Sequence, residues 1–173
     1  EYVKNDIDII GIEPSCILGF KSDFLDLVDE EYKHKAESIK SNTYIIDEFL
    51  TENKIWEKLD YQKPNYKKVI IQPHCHQQSL LGNSHMKELL NRFKFDNYEF
   101  VDNGCCGMAG SFGYFKDKYK ISIDLAKRSL FPKINSLSDN SVVIASGISC
   151  REQVSQGTNS KPKHVVEIIA DLL

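Results

Sequence analysis

Short apolar runs alternate with amphipathic stretches along this chain. Four of the runs predict buried β-strands, at residues 7–12, 69–71, 98–101 and 142–145. Apolar residues at helical spacing predict helices, the clearest of them over 84–93, 116–130 and 165–172. Strands that alternate with helices are typical of an α/β fold, and we expect a mostly parallel sheet with flanking helices.

The region between the first two predicted strands is expected to be mainly helical. Ser22 can cap one helix, and Ser41 or Asn42 can cap a second. The apolar face of that second helix would consist of Ile45, Ile46, Phe49 and Leu50. Residues 53–68 are polar with scattered aromatic side chains, so we expect them to form a surface connection.

Cysteine follows every one of the predicted strands. The carboxyl ends of parallel strands share one edge of a sheet, so cysteines on the loops at these ends should lie close together. Cysteines that served only as small apolar residues would occur just as often inside strands and on apolar helix faces. The pattern therefore predicts a multi-thiolate metal site, with the candidate ligands Cys16, Cys75, Cys105, Cys106 and Cys150.

Composition and charge exclude several classes of protein. The chain has 173 residues, of which 41% are hydrophobic and 27% are charged, and its formal net charge is -3. This is a globular composition without the positive field that nucleic-acid binding requires, so we expect no nucleic-acid partner. An odd number of cysteines and the absence of Asn-x-Ser/Thr sites argue against a secreted disulfide scaffold, so reduced thiols in the cytoplasm are expected.

The adjacent pair Cys105-Cys106 lies between Gly104 and Gly107. Two adjacent thiolates do not easily share one tetrahedral ion, but each can bind a different iron of one cluster. The flanking glycines allow close approach of the backbone and offer N–H groups to sulfur. Residues 108–112 suggest the start of a helix, whose positive end would favour the thiolate form. The alternative is a pair of buried, inert cysteines beside a glycine turn.

Other local patterns do not identify a known site. No zinc-finger or ferredoxin spacing is present, and thiolates bind both zinc and iron–sulfur clusters, so zinc remains an alternative. The glycines at 104, 107, 110 and 113 do not match a phosphate-binding loop. The nearby aromatic residues are expected to pack in the core or against helices: Phe112, Tyr114, Phe115 and Tyr119.

Three histidines lie near predicted element ends. His76 follows Cys75 on the loop after a strand, and we expect it to support a cluster from outside the ligand set. His74 is expected to point away, into the sheet edge. His164 precedes the last helix and is expected to cap it or to lie on the surface. We assign no catalytic residue. We also assign no substrate-binding residue, because the segment lacks the basic cluster that a carboxylate substrate needs.

Three stretches resemble the cysteine-rich CCG family: 73–76, 104–107 and 146–150. That family includes the heterodisulfide reductase B subunit, the glycolate oxidase iron–sulfur subunit and the C subunit of anaerobic glycerol-3-phosphate dehydrogenase. The stretches 11–16, 104–114 and 149–151 are similar to the C-terminal part of large FAD-linked oxidases of the D-lactate dehydrogenase type. The resemblance covers nearly the whole chain, although one ligand of the heterodisulfide reductase pattern is absent at Gly147.

The resemblance implies a division of the chain and of the parent protein. Residues 1–20 would be the end of a first CCG repeat, 21–66 a helical connection and 67–173 the second repeat. The first residues, without an initiator Met or signal-peptide pattern, fit the expectation that the chain is cut from something longer. FAD would lie in the missing N-terminal part, so no FAD-binding residue is expected here, and the fragment alone should not oxidise a substrate.

The implied function is electron transfer in a flavin-dependent 2-hydroxy-acid dehydrogenase. Electrons would pass from FAD through an iron–sulfur centre toward a quinone or another respiratory acceptor. The parent protein would be cytoplasmic. A second option is that it associates peripherally with the inner face of the membrane. Two alternatives stay open: a structural zinc-binding or subunit-docking domain, and a thiol/disulfide-reducing site of the heterodisulfide reductase type.

Overall fold

A computed structural model describes residues 7–173 and shows an α/β fold of parallel strands and flanking helices. The strands are β1 (Ile9–Gly11), β2 (Thr43–Ile45), β3 (Lys68–Gln72), β4 (Tyr98–Phe100) and β5 (Ser141–Ala145). They form two separate sheets among these residues, a pair β1-β2 and a three-stranded sheet of order β4-β3-β5. All the pairings are parallel.

Ten α-helices connect or follow the strands in the described part of the chain. The first four are α1 (Pro14–Lys21), α2 (Asp23–Leu27), α3 (Lys33–Ser41) and α4 (Ile46–Glu52). The next three are α5 (Cys75–Leu80), α6 (Ser84–Arg92) and α7 (Tyr119–Arg128). The last three are α8 (Leu130–Asn135), α9 (Ile148–Gly157) and α10 (Val165–Ala170).

The central strand β3 is buried on both faces because its side chains alternate between two helical layers. Val69 and Ile71 pack on one side with α6 and α10, whereas Ile70 packs on the other side with α7, α8 and α9. Ile70 is in register with Glu99 of β4 and Val143 of β5. Apolar side chains on both faces explain why β3 has a continuous apolar run.

The N-terminal part differs from the pattern expected of a buried strand and a helical connection. The strand β1 is shorter than the predicted run, and Ile10 is exposed. The connection over 21–66 is largely helical but also contains β2, which pairs with β1. Ile45, expected on a helix face, is the last residue of β2, and Ile46 begins α4.

The stretch 53–66 is more closely packed than a surface connection. Its aromatic side chains lie against the core between the sheet and α6. The Tyr61 ring is 4.6 Å from the Phe93 ring, and the Tyr66 ring stacks with Phe95 at 6.2 Å. These contacts attach the N-terminal helices to the three-stranded sheet.

Candidate metal centre

Four of the five cysteines meet at the carboxyl edge of the three-stranded sheet. Cys75 begins α5 directly after β3, and Cys150 is in the first turn of α9 after β5. Cys105 and Cys106 lie in the loop after β4. Each strand of this sheet therefore delivers at least one thiol to the same edge, as the alternation of strands and cysteines predicts.

The four thiols form two pairs rather than one compact group. The Sγ atoms of Cys75 and Cys105 are 3.7 Å apart, near the protein surface. Cys106 and Cys150 are buried and hydrogen-bonded to each other through their side chains. Within residues 7–173, no three of the five sulfurs come within 4.8 Å of one another.

The two buried thiols have opposite acidities. The hydrogen bond from Cys150 lowers the pKa of Cys106 to about 6, with help from the backbone N–H groups of Met108 and Ala109. The same contact, together with burial, raises the pKa of Cys150. Of the two thiols, Cys106 is therefore the one that loses its proton more readily.

The pair nearer the surface is less acidic. Burial and the neighbouring sulfur of Cys105 raise the pKa of Cys75 to about 11. The charge of Cys106 acts in the same direction, so the two pairs are close enough to interact electrostatically. A cation bound between the pairs would remove this repulsion and favour the deprotonated thiols.

Gly104 and Gly107 give the cysteine loop its shape. Both have positive φ, at 60° and 67°, a conformation that residues with a Cβ rarely adopt. The turn at Gly107 directs its N–H group to the Sγ atom of Cys105, at 3.3 Å. The predicted donation from a glycine amide to sulfur is thus present at Gly107.

The segment after the cysteine pair is not the regular helix that the sequence suggests. Residues Ala109–Tyr114 form a 3-10 segment that is interrupted by left-handed residues at Gly110 and Ser111. The prediction that its aromatic side chains are packed away is wrong for Phe112, Tyr114 and Phe115, which are exposed. The irregular backbone turns these rings toward solvent instead of onto one buried helix face.

Cys16 belongs to neither of the two sulfur pairs. It is exposed in the first turn of α1, after β1. Its segment is nevertheless attached to the three-stranded unit, because the Glu13 carboxylate accepts a hydrogen bond from the N–H group of Ile148 at 2.8 Å. The Ile12 carbonyl is 2.9 Å from Nε2 of His164.

The two histidines beside Cys75 have different surroundings. His74 is the buried one, lies against Gly147 near Cys150, and has no hydrogen-bond partner at Nδ1 among the described residues. Burial lowers the pKa of His74. His76 is partly exposed. His164 caps α10, as its position predicts, by accepting from the Val166 N–H group.

One group of potential ligands lies away from the sulfur atoms. Glu48, Glu52 and His85 place ligand atoms within 4.8 Å of one another. Glu48 is already paired with Lys21 and accepts from the Ile45 N–H group, so its carboxylate is neutralised by the protein itself. The thiol edge is the stronger candidate for a metal.

In sequence, this chain is similar to several known dehydrogenases. D-2-hydroxyglutarate dehydrogenase of Haemophilus influenzae is 27% identical over 181 residues, which cover 98% of this chain and 17% of that protein. The C subunit of anaerobic glycerol-3-phosphate dehydrogenase of Escherichia coli K12 is 23% identical over 172 residues, which cover 96% and 41%. This chain is similar to parts of oxidoreductases. A second D-2-hydroxyglutarate dehydrogenase, from Pantoea ananatis, is 22% identical over 174 residues, covering 98% and 16%.

The chain spans less than half the length of these dehydrogenase relatives. No protein-family profile matches it, and no solved structure does. Membership of the CCG family therefore stays a prediction. Within residues 7–173, none of the helices is both long and apolar enough to cross a membrane.

Proposed function

We propose that this chain is the iron–sulfur-binding part of a flavin-dependent oxidoreductase. Cys75, Cys105, Cys106 and Cys150 would bind the cluster. The observation that carries the proposal is the meeting of these four thiols, from three consecutive strand ends, as two sulfur pairs on one sheet edge. The dehydrogenase relatives support the reaction class.

The spread of the sulfur atoms favours a cluster over a single zinc ion. With zinc–sulfur bonds of about 2.3 Å, a tetrahedral site holds all its sulfurs about 3.8 Å apart. Cys75 and Cys105 meet this distance, but no third sulfur joins them within 4.8 Å in the described structure. Thiolates that bind different irons of one cluster are farther apart, which fits two separated pairs.

The chain's own groups are suited to holding negative charge on sulfur. An iron–sulfur cluster, when bound, supplies one-electron transfer. The Gly107 N–H group donates to the Cys105 sulfur, and those of Met108 and Ala109 donate to Cys106. Such donors stabilise the more negative state of a thiolate site and so adjust its reduction potential.

The rest of the reaction would belong to the parent protein. FAD, bound outside this chain, would take a hydride from a 2-hydroxy acid of the D-lactate kind. Electrons would then pass through the thiol-bound centre to a quinone or another respiratory acceptor. The parent would work in the cytoplasm, with peripheral association at the membrane.

Metal analysis of the chain tests this proposal. The protein would be prepared without oxygen, reconstituted with Fe²⁺ and sulfide, and analysed for iron, sulfide and zinc together with its visible spectrum. Bound iron and sulfide with a coloured spectrum are expected. Replacement of Cys75, Cys105 or Cys106 by Ser should remove most of the bound iron, because each position supplies a ligand.

Cys16→Ser is the matched control, since it removes a thiol that lies outside both pairs. It should leave the iron content unchanged. Stoichiometric zinc without iron would support the docking-domain alternative. No metal, together with rapid oxidation of the thiols by a disulfide, would support the thiol/disulfide alternative.

A further inference from the structure

A buried polar network lies directly beneath the cysteine loop. The side-chain amide of Gln153 donates from Nε2 to the Cys106 carbonyl at 2.7 Å and to the Ser122 carbonyl at 2.8 Å. The Ser122 hydroxyl donates to the same Cys106 carbonyl, also at 2.7 Å. Gln72 completes the network by donating to Oε1 of Gln153 at 3.2 Å.

The network joins three elements that are far apart in sequence. Gln153 lies in α9 one turn after Cys150, Ser122 lies in α7, and Gln72 ends β3. Gln153 and Ser122 are completely buried, and Gln72 almost so. Buried amides and hydroxyls are costly unless they are hydrogen-bonded, so their placement here argues for a specific partner, which is the peptide group of Cys106.

We infer that Gln153 is a positioning residue for the Cys106 sulfur. It holds the Cys106 carbonyl from the core side, and this fixes the peptide that carries the sulfur. With the peptide fixed, the sulfur stays beside Cys150 and near the N–H groups of Met108 and Ala109. One helix therefore carries both Cys150 and the group that aligns its partner thiol.

Thiol alkylation in the metal-free chain tests this inference. Gln153→Met keeps the volume of the side chain and removes both its donors and its acceptor. Iodoacetamide modification of each cysteine would be followed by mass spectrometry. Cys106 should react about 10-fold faster in the variant, because its loop opens more often without the buried hydrogen bonds. The rate at Cys150 should stay the same.

Gln156→Ala is the control, since Gln156 is exposed on the same helix. It should leave the reactivity of Cys106 unchanged. If Gln153→Met does not fold, Ser122→Ala serves instead, because it removes the other donor to the Cys106 carbonyl without a large cavity. A faster alkylation of Cys106, with no change at Cys150, supports the inference. Unchanged reactivity of Cys106, or an equal rise at Cys150, would overturn it.

A second measurement rests on the proposed function. In the chain reconstituted with Fe²⁺ and sulfide, loss of iron to a chelator should be about 10-fold faster for Gln153→Met than for the unmodified protein, as expected when a group that orients a ligand is lost. If the unmodified chain binds no iron, the proposed function fails while the alkylation result still decides the role of Gln153. Equal rates of iron loss would count against the inference.

Discussion

The carboxylate of Glu13 accepts a hydrogen bond from the backbone N–H group of Ile148, across 135 positions of sequence. Its other oxygen accepts from the Ser15 hydroxyl at 2.7 Å. Glu13 immediately precedes α1, which carries Cys16, and Ile148 begins α9, which carries Cys150. A negative group at the N-terminus of α9 is favourable because the free N–H groups and the helix dipole are positive there. One side chain thus links the starts of two cysteine-bearing helices.

Glu13→Ala is expected to lower the free energy of unfolding by about 1 kcal/mol, the usual cost of losing a capping group. Urea denaturation measures this change. Glu13→Gln should cost less, because the amide oxygen can still accept from Ile148. Ser15→Ala removes only the local bond to Glu13 and is the control. Equal stability of the Glu13→Ala and Ser15→Ala variants would show that the contact with Ile148 contributes nothing.

Substitution of His164 should change how stability depends on pH. Its Nδ1 accepts from Val166, so Nε2 carries the proton and donates to the Ile12 carbonyl. Burial lowers the pKa of His164 below its ordinary value of 6.5. The unfolded chain therefore takes up a proton first, and stability that is fully present above pH 6.5 is lost as the pH falls below it.

His164→Asn preserves an acceptor for Val166 but removes the titrating ring. Unfolding measured between about pH 8 and about pH 5 should show a smaller loss of stability in this variant than in the unmodified chain. His74, whose pKa burial also lowers, contributes equally to both proteins. Identical pH profiles would contradict the assignment to His164.

Gly113→Ala should damage the cysteine loop through steric conflict. A Cβ atom at this position would lie 2.5 Å from the Gly107 carbonyl oxygen, which is backbone and cannot rotate away. A loss of about 1–3 kcal/mol in stability is expected. Gly19→Ala is the matched control, because nothing lies within 4 Å of its added Cβ and alanine favours the helix. Thermal denaturation should show a lower melting temperature for Gly113→Ala than for Gly19→Ala. Equal stability of the two variants would show that the predicted steric conflict does not occur.

Glu99 of β4 forms salt bridges with Lys68 of β3 and Lys133 of α8. Hydrogen bonds from Lys133 and Lys68 lower the pKa of Glu99 to about 2, from an ordinary value of 4.5. Its stabilising contribution is present above pH 4.5 and is lost as the pH falls toward 2. The groups are partly exposed and screened by solvent, so Glu99→Gln should cost no more than about 1 kcal/mol at neutral pH. The difference in stability between the unmodified chain and Glu99→Gln should vanish in acid. A difference that stays constant across the pH range would contradict this account.

Much of the scaffold can be predicted from local sequence. The apolar run around Ile70 specifies a strand that is buried on both faces, and the structure confirms it. The position of Cys75 just after this strand places it at the carboxyl edge of the sheet. Both features depend on neighbouring residues, which is why the pattern along the chain is enough to predict them.

The sequence by itself determined the α/β alternation and the delivery of thiols to one sheet edge, because periodicity and strand ends are local properties. Tertiary structure alone decided that Cys106 pairs with Cys150, and that the strands divide into two sheets. It also decided that Gln153 lies beneath the Cys106 carbonyl. These relationships join residues that are far apart in the chain, so they depend on how the helices pack against the sheets, and no local pattern records that packing.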